Sequence, residues 1–157
     1  MSDMLVKLYN LPEIESLIKK HKDQGIIIRT AMPSEKLDVV EWVNKTFGRG
    51  WASECDTAFS RIPVSCFIAT ENSSIIGFAC HDSTCKNFFG PTGIAKKKQG
   101  LKIGKALLLS CLYAMAANGY AYAIIGDAAS ADYYKKSVNA IPIKDSTPGI
   151  YQDQLKK

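Results

Sequence analysis

The chain has 157 residues, 46% hydrophobic and 22% charged, with a formal net charge of +5. That length suits one domain with its own core, and the balance of apolar and charged residues excludes a disordered or collagen-like chain. No apolar run is long enough for a comfortable bilayer span, and Met1-Ser2-Asp3-Met4 lacks the regions of a secretory leader, so a cytoplasmic protein without membrane attachment is expected.

Residues 5–8 predict a short strand, followed by a helix to about Asp23 with Pro12 in its first turn and Ile14, Leu17 and Ile18 at helical spacing. Gly25 ends that helix, and the β-branched run at 26–30 reads as a strand. Pro33-Ser34-Glu35 opens a second helix with Leu37, Val40, Trp42, Val43 and Phe47 as apolar positions. Gly48-Arg49-Gly50-Trp51 reads as a loop before a shorter helix over 52–60. Two antiparallel strands, 64–70 and 75–82, flank the polar connection Glu71-Asn72-Ser73-Ser74. A third strand over 87–95 carries Gly90-Pro91, the mark of a bulge or an edge. The long apolar helix from Ile103 stops at Asn118-Gly119. Residues 120–125 read as a central strand covered on both faces, 130–136 as a short helix and 140–143 as a last strand before the turn at Thr147-Pro148-Gly149. No linker or repeat divides residues 1–157, so the expected class is a single α/β domain with a mixed sheet. Its antiparallel hairpin precedes a strand-helix-strand unit with a parallel crossover.

The cysteines, Cys55, Cys66, Cys80, Cys85 and Cys111, are odd in number and contain no C-x-x-C pair, which suits reduced core thiols. Cys80-His81-x-x-x-Cys85 fits no strong zinc spacing, and no metal is expected. The most informative stretch is Gln99-Gly100-Leu101-Lys102-Ile103-Gly104-Lys105, which gathers two glycines and basic residues where a helix N-terminus exposes unpaired N–H groups. Lys96, Lys97, Lys98, Lys102 and Lys105 carry as much positive charge as the net +5 of the chain. A polyanionic ligand explains that focus, although any single lysine is ordinarily a solvated one. No aromatic side chains are interleaved with these lysines and no nucleic-acid motif occurs, so no nucleic-acid partner is expected.

A strand ending in Gly93-Ile94-Ala95, then Gln99 to Gly104, a buried helix, an apolar strand and Ala131-Asp132-Tyr133-Tyr134-Lys135-Lys136 together resemble the GNAT superfamily of N-acetyltransferases. The resemblance covers roughly residues 26 to 145 and implies the acyl-CoA N-acyltransferase fold, a mainly antiparallel twisted sheet flanked by helices. The family signature is (Arg or Gln)-x-x-Gly-x-(Gly or Ala); Gln99 and Gly104 match it, and Lys102 replaces the middle glycine. With ordinary helical φ, Lys102 keeps its N–H available and adds a cation, and the focused charge favours this case. A position that requires glycine would weaken the site instead.

The resemblance implies acetyl-CoA as cosubstrate. Its pyrophosphate would lie on the N–H groups of residues 100–105, thus Gly100, Leu101, Lys102, Ile103, Gly104 and Lys105, with Gln99 leading the loop. Its pantetheine would run along Gly93-Ile94-Ala95 like an added strand, and the Ile94 N–H would polarise the thioester carbonyl. Tyr134, with Tyr133 before it, stands in the place of the family's tyrosine and would protonate the departing thiolate. A primary amine of a small molecule or protein would attack directly in a ternary complex. Glu54, His81, Asp82 and Asp127 are candidates for the general base, and Trp42, Phe47, Trp51 and Phe59 either line the acceptor pocket or pack the core. Residues 1–24 are expected as a strand-helix extension that covers the acceptor cleft, forms a homodimer contact or simply packs. The alternative activity is non-catalytic acyl-CoA binding on the same fold.

Overall fold

Runs of apolar and β-branched residues between turns give seven strands in the computed structural model, which describes residues 1–156. They are β1 (Met4–Lys7), β2 (Ile26–Thr30), β3 (Cys66–Glu71), β4 (Ser74–His81), β5 (Phe88–Ile94), β6 (Tyr122–Ile125) and β7 (Ile141–Pro142). They form one sheet in the order β2-β3-β4-β5-β6-β1-β7, and every neighbouring pair is antiparallel except β5 and β6. Five helices cover it: α1 (Glu15–Asp23), α2 (Lys36–Phe47), α3 (Arg49–Ala58), α4 (Ile103–Ala117) and α5 (Ala131–Val138). The expected crossover is the β5-α4-β6 unit.

The two faces of the sheet carry different cores. Apolar on all sides, α4 is a central layer and not a surface helix. Leu107, Leu109 and Leu112 are fully buried, each stabilising the fold by about 1.5–3 kcal/mol. They pack with Met4, Val6 and Leu8 of the N-terminal segment and with Ile125 of β6. On the opposite face, α2 and α3 close over Phe78, around which Trp42, Phe47 and Trp51 stack with ring centroids 5.6 to 6.3 Å from it. Gly93 sits beneath this cluster. A Cβ built there would collide with the Phe47 ring, so the ring rests on the strand backbone.

Three expectations need correction. The 48–51 segment is not a loop: only Gly48, at φ 104°, breaks the chain, and α3 begins at Arg49. The last strand shrinks to two residues, Ile141 and Pro142, because Asn139 turns into the left-handed region and proline removes a ladder donor. β6 is half covered and not fully enclosed, with Tyr122 exposed at its start. Of residues 1–24, the strand half lies inside the sheet: β1 pairs with β6 on one side and β7 on the other.

Candidate functional site

The site begins with a discontinuity in the sheet. β4 and β5 pair regularly from Gly77 and Ile94 to Ala79 and Thr92, but the next rung joins His81 to Phe89, so Gly90 and Pro91 together oppose Cys80. This is the bulge that Gly90-Pro91 predicts, and Gly90 takes φ 117°, a conformation that favours glycine. On its other side β5 pairs with β6 at only two rungs, Phe88 with Ile124 and Phe89 with Ile125. β6 then ends, and among the described residues no strand continues the pairing beside residues 90–94. Ala95 N–H donates to Ile76 O at 2.8 Å, toward β4. By the alternation of an antiparallel ladder, the N–H groups of Ile94 and Thr92 turn the other way, into the gap.

One end of that gap is the N-terminus of α4. No side chain caps this helix, and the first N–H returned to the chain is that of Ala106, donated to Lys102 O at 3.2 Å. The earlier N–H groups of Ile103, Gly104 and Lys105 are the orphan donors of a helix start. They face a cavity of about 410 Å³ lined by Ile94, Lys98, Gln99, Gly100, Lys102 to Lys105, Tyr133, Lys136 and Ser137. Gln99 Nε2 donates to Ile94 O at 3.5 Å and ties the loop to the strand end. Lys96 and Lys97 do not line the cavity, and Lys98 is shared with Glu71 at 2.6 Å. Gly93, Ala95 and Leu101 stand outside the lining; Gly93 is under Phe47, and Leu101 is 50% exposed.

Lys102 departs from the helical φ that its charge favours. Its φ of 63° and ψ of 19° place it in the left-handed region, two residues after Gly100 at φ 81°. A side chain there costs about 1–2 kcal/mol, which is the physical reason glycine suits the position. The loop keeps its shape with lysine in it, and the lysine adds a cation to the cavity rim.

At the other end the gap widens into a cleft of about 400 Å³ lined by Trp51 and Glu54 of α3, Gly90 to Thr92, Ile125 to Asp127 and Tyr134. Tyr134 packs edge-on against Phe89, with centroids 6.4 Å apart, and against Tyr133 at 5.1 Å. Burial, with Tyr133 beside it, pushes the Tyr134 phenol up to about 12, so it keeps its proton at neutral pH. Glu54 accepts a hydrogen bond from Thr84 Oγ1, and the Asp127 N–H donates to Asp3 Oδ1 at 2.8 Å. Tyr134 and Thr92 border the cleft, whereas Ile94 and Tyr133 line the cavity at the helix end.

His81 and Asp82 are directed elsewhere. They line a separate polar cavity of about 590 Å³ with Arg61, Ser65 and Tyr120. His81 Nδ1 donates to Asp82 Oδ2 at 2.7 Å, with both side chains buried. Burial opposes the Asp82 charge, but hydrogen bonds from His81, the Asn87 N–H and Tyr120 outweigh it and hold the carboxyl below its ordinary value. This pair is a structural hydrogen bond at the end of β4. Trp42, Phe47 and Phe59 belong to the core, while Trp51, 40% exposed, reaches the cleft.

Sequence reasoning missed Lys136 and Ser137, which follow Tyr133 at the i+3 and i+4 positions of one helix face. Trp51 and Glu54, both candidates from the sequence, reach the cleft from i and i+3 positions of α3 and not from a loop.

The fold built from these elements is that of the GNAT acetyltransferases. A GCN5-related glucosamine N-acetyltransferase region of a fungal multi-domain GH3 β-N-acetylglucosaminidase superposes with a TM-score of 0.73 and 14% identity, covering 90% of this chain and 19% of that one. A GCN5-related N-acetyltransferase from Sphaerobacter thermophilus gives 0.64 and 18% identity over 90% of this chain and 48% of the other. The chain thus spans about a fifth and about a half of these two solved chains. No family model matches the sequence, and no curated protein matches it at a significant level. No helix among the described residues is long and apolar enough to cross a membrane.

Proposed function

We propose that the chain is an N-acetyltransferase that carries the acetyl group of acetyl-CoA to a primary amine by direct attack. One observation carries the reading. The unpaired edge of β5 runs from an uncapped, lysine-rimmed helix N-terminus to a cleft bordered by the half-buried phenol of Tyr134. The residues present fit the cosubstrate: orphan N–H groups of α4 with Lys102, Lys105 and Lys136 suit a pyrophosphate, and the strand edge suits an amide-bearing arm. When bound, acetyl-CoA supplies an activated acyl group on a thioester.

Ile94 N–H, turned into the gap, donates to the carbonyl oxygen as negative charge develops there. Tyr134, at the border of the cleft, gives its proton to the leaving thiolate. Glu54 brings a carboxylate to the cleft, which suits an acceptor that arrives as a cationic amine, whereas Asp127 is paired there with the Met1 ammonium at 3.2 Å. Glu54 is the better placed base. It lies on α3 opposite β5, whereas His81 and Asp82 face another cavity.

The test is release of free thiol from acetyl-CoA across a panel of amines, with coenzyme A binding followed in parallel by thermal shift. Amine-dependent thiol release is the expected result. Stabilisation by coenzyme A without thiol release from any amine would favour the second reading, a non-catalytic acyl-CoA-binding module, for which the left-handed Lys102 is the specific observation. Absence of both responses would overturn the two together.

A further inference from the structure

Away from the cleft, beneath α3, three thiols converge in the second core. Cys55 of α3, Cys66 of β3 and Cys80 of β4 are each 0% exposed, and their Sγ atoms all lie within 4.8 Å of one another. Their convergence is built into the fold. Cys66 and Cys80 are cross-strand partners. His81 N–H donates to Ser65 O at 3.0 Å, so the Cys66 and Cys80 rung is the adjacent non-hydrogen-bonded one, the type with the closest side chains. Cys55 descends on this pair from the helix above. Among the described residues no fourth His, Cys, Asp or Glu ligand atom joins the group. Cys111 lies on the other face of the sheet, where its thiol donates to Ala79 O at 3.5 Å, and Cys85 is partly exposed.

The surroundings decide what such a trio can hold. Val43, Ala58, Val64 and Phe78 enclose it, so the pocket offers no water and no countercharge. Three thiolates around a monovalent or divalent ion would leave net negative charge in that core, a costly state. Zinc also requires a fourth ligand. A trivalent centre with three sulfur ligands is neutral, trigonal and complete. Its hydrated form, arsenous acid, is itself a small uncharged molecule at neutral pH, and it enters an apolar core without stripping water from an ion. We propose that Cys55, Cys66 and Cys80 form a capture site for a trivalent thiophilic metalloid of the arsenite and antimonite class, distinct from the acyl-transfer cleft and independent of it.

The chemistry balances without an oxidant. Arsenous acid and three thiols give an arsenic trithiolate and three waters; each S–As bond forms as an As–O bond breaks, and each thiol proton leaves with the hydroxide.

Native mass spectrometry of the reduced full chain with sodium arsenite tests this. The expected product carries a single arsenic in place of three protons, with no retained hydroxyl. Cys85→Ala and Cys111→Ala give the same product. Cys55→Ala, Cys66→Ala and Cys80→Ala each leave two sulfurs, retain a hydroxyl on arsenic, and bind about 10²-fold or more weakly. No adduct, a hydroxyl retained in the unmodified chain, or loss of the adduct in Cys85→Ala or Cys111→Ala overturns the assignment. So does stoichiometric zinc or copper(I) binding that blocks arsenite. If the three core variants fail to fold, the mass of the unmodified chain and the two control variants still decide.

Discussion

Tyr134 and Lys102 carry opposite lessons. Tyr134 packs against the core and keeps its proton at working pH, as an ordinary phenol does; its place beside the cleft is what suits it to donate, while burial raises it to about 12. Its replacement by Phe keeps the ring contacts with Phe89 and Tyr133 and removes only the hydroxyl, so acetyl transfer should fall by about 10²-fold in a steady-state thiol-release assay while coenzyme A binding persists. The same shift has a signature in stability. A phenol whose folded value is raised from 10.0 to about 12 contributes stability that is complete below pH 10 and is lost as pH rises through 12. The difference in unfolding free energy between the parent chain and Tyr134→Phe should therefore change over that alkaline window and be flat below it. Lys102, in contrast, holds a conformation that suits glycine. Lys102→Gly exchanges left-handed strain for a looser unfolded chain, and a gain of a few tenths to about 1 kcal/mol is expected from denaturant melts.

Among the elements, β5 is the one whose irregularity makes the site. Its bulge at Gly90-Pro91 and the early end of β6 leave its far half unpaired on one side. Its near face is fixed by Phe47, which lies on Gly93 so closely that Gly93→Ala must displace the ring or the strand. A loss of about 1–3 kcal/mol is expected in urea unfolding, with impaired coenzyme A binding because the same strand backbone borders the gap. α1 carries a different irregularity. His21 is 1% exposed, and neither ring nitrogen has a hydrogen-bond partner. A polar group in that state costs about 1–3 kcal/mol, so His21→Met should leave stability unchanged or raise it, whereas Leu112→Ala in the neighbouring α4 should lower it by about 2–5 kcal/mol. Thermal melts of the two variants separate the cases.

At the scale of the molecule, the N-terminal strand is a structural member of the sheet. It pairs with β6 along its whole length and places Met4 and Val6 in the core on α4, followed by Leu8. Burial of three such side chains stabilises by about 5–9 kcal/mol, comparable with the whole stability of an ordinary domain. Deletion of residues 1–8 should abolish the cooperative melt. A truncated chain that still unfolds cooperatively near the parent temperature would show that β6 does not need this partner.

What the sequence determined by itself was set by local chemistry. Hydrophobic period, glycine and proline placement and the turn residues fixed most elements, and the order Gly93-Ile94-Ala95, Gln99 to Gly104, Tyr133-Tyr134 carried the likeness to the GNAT family. Only the tertiary structure decided the rest, because each remaining feature depends on residues distant along the chain. The φ of Lys102 follows from where the loop must deliver α4. Lys136 joins the helix end, and Glu54 joins Tyr134, through the packing of α5 and α3. β1 takes its place between β6 and β7 by long-range pairing, and three cysteines scattered over 25 residues meet because a strand pair and a helix bring them to one point.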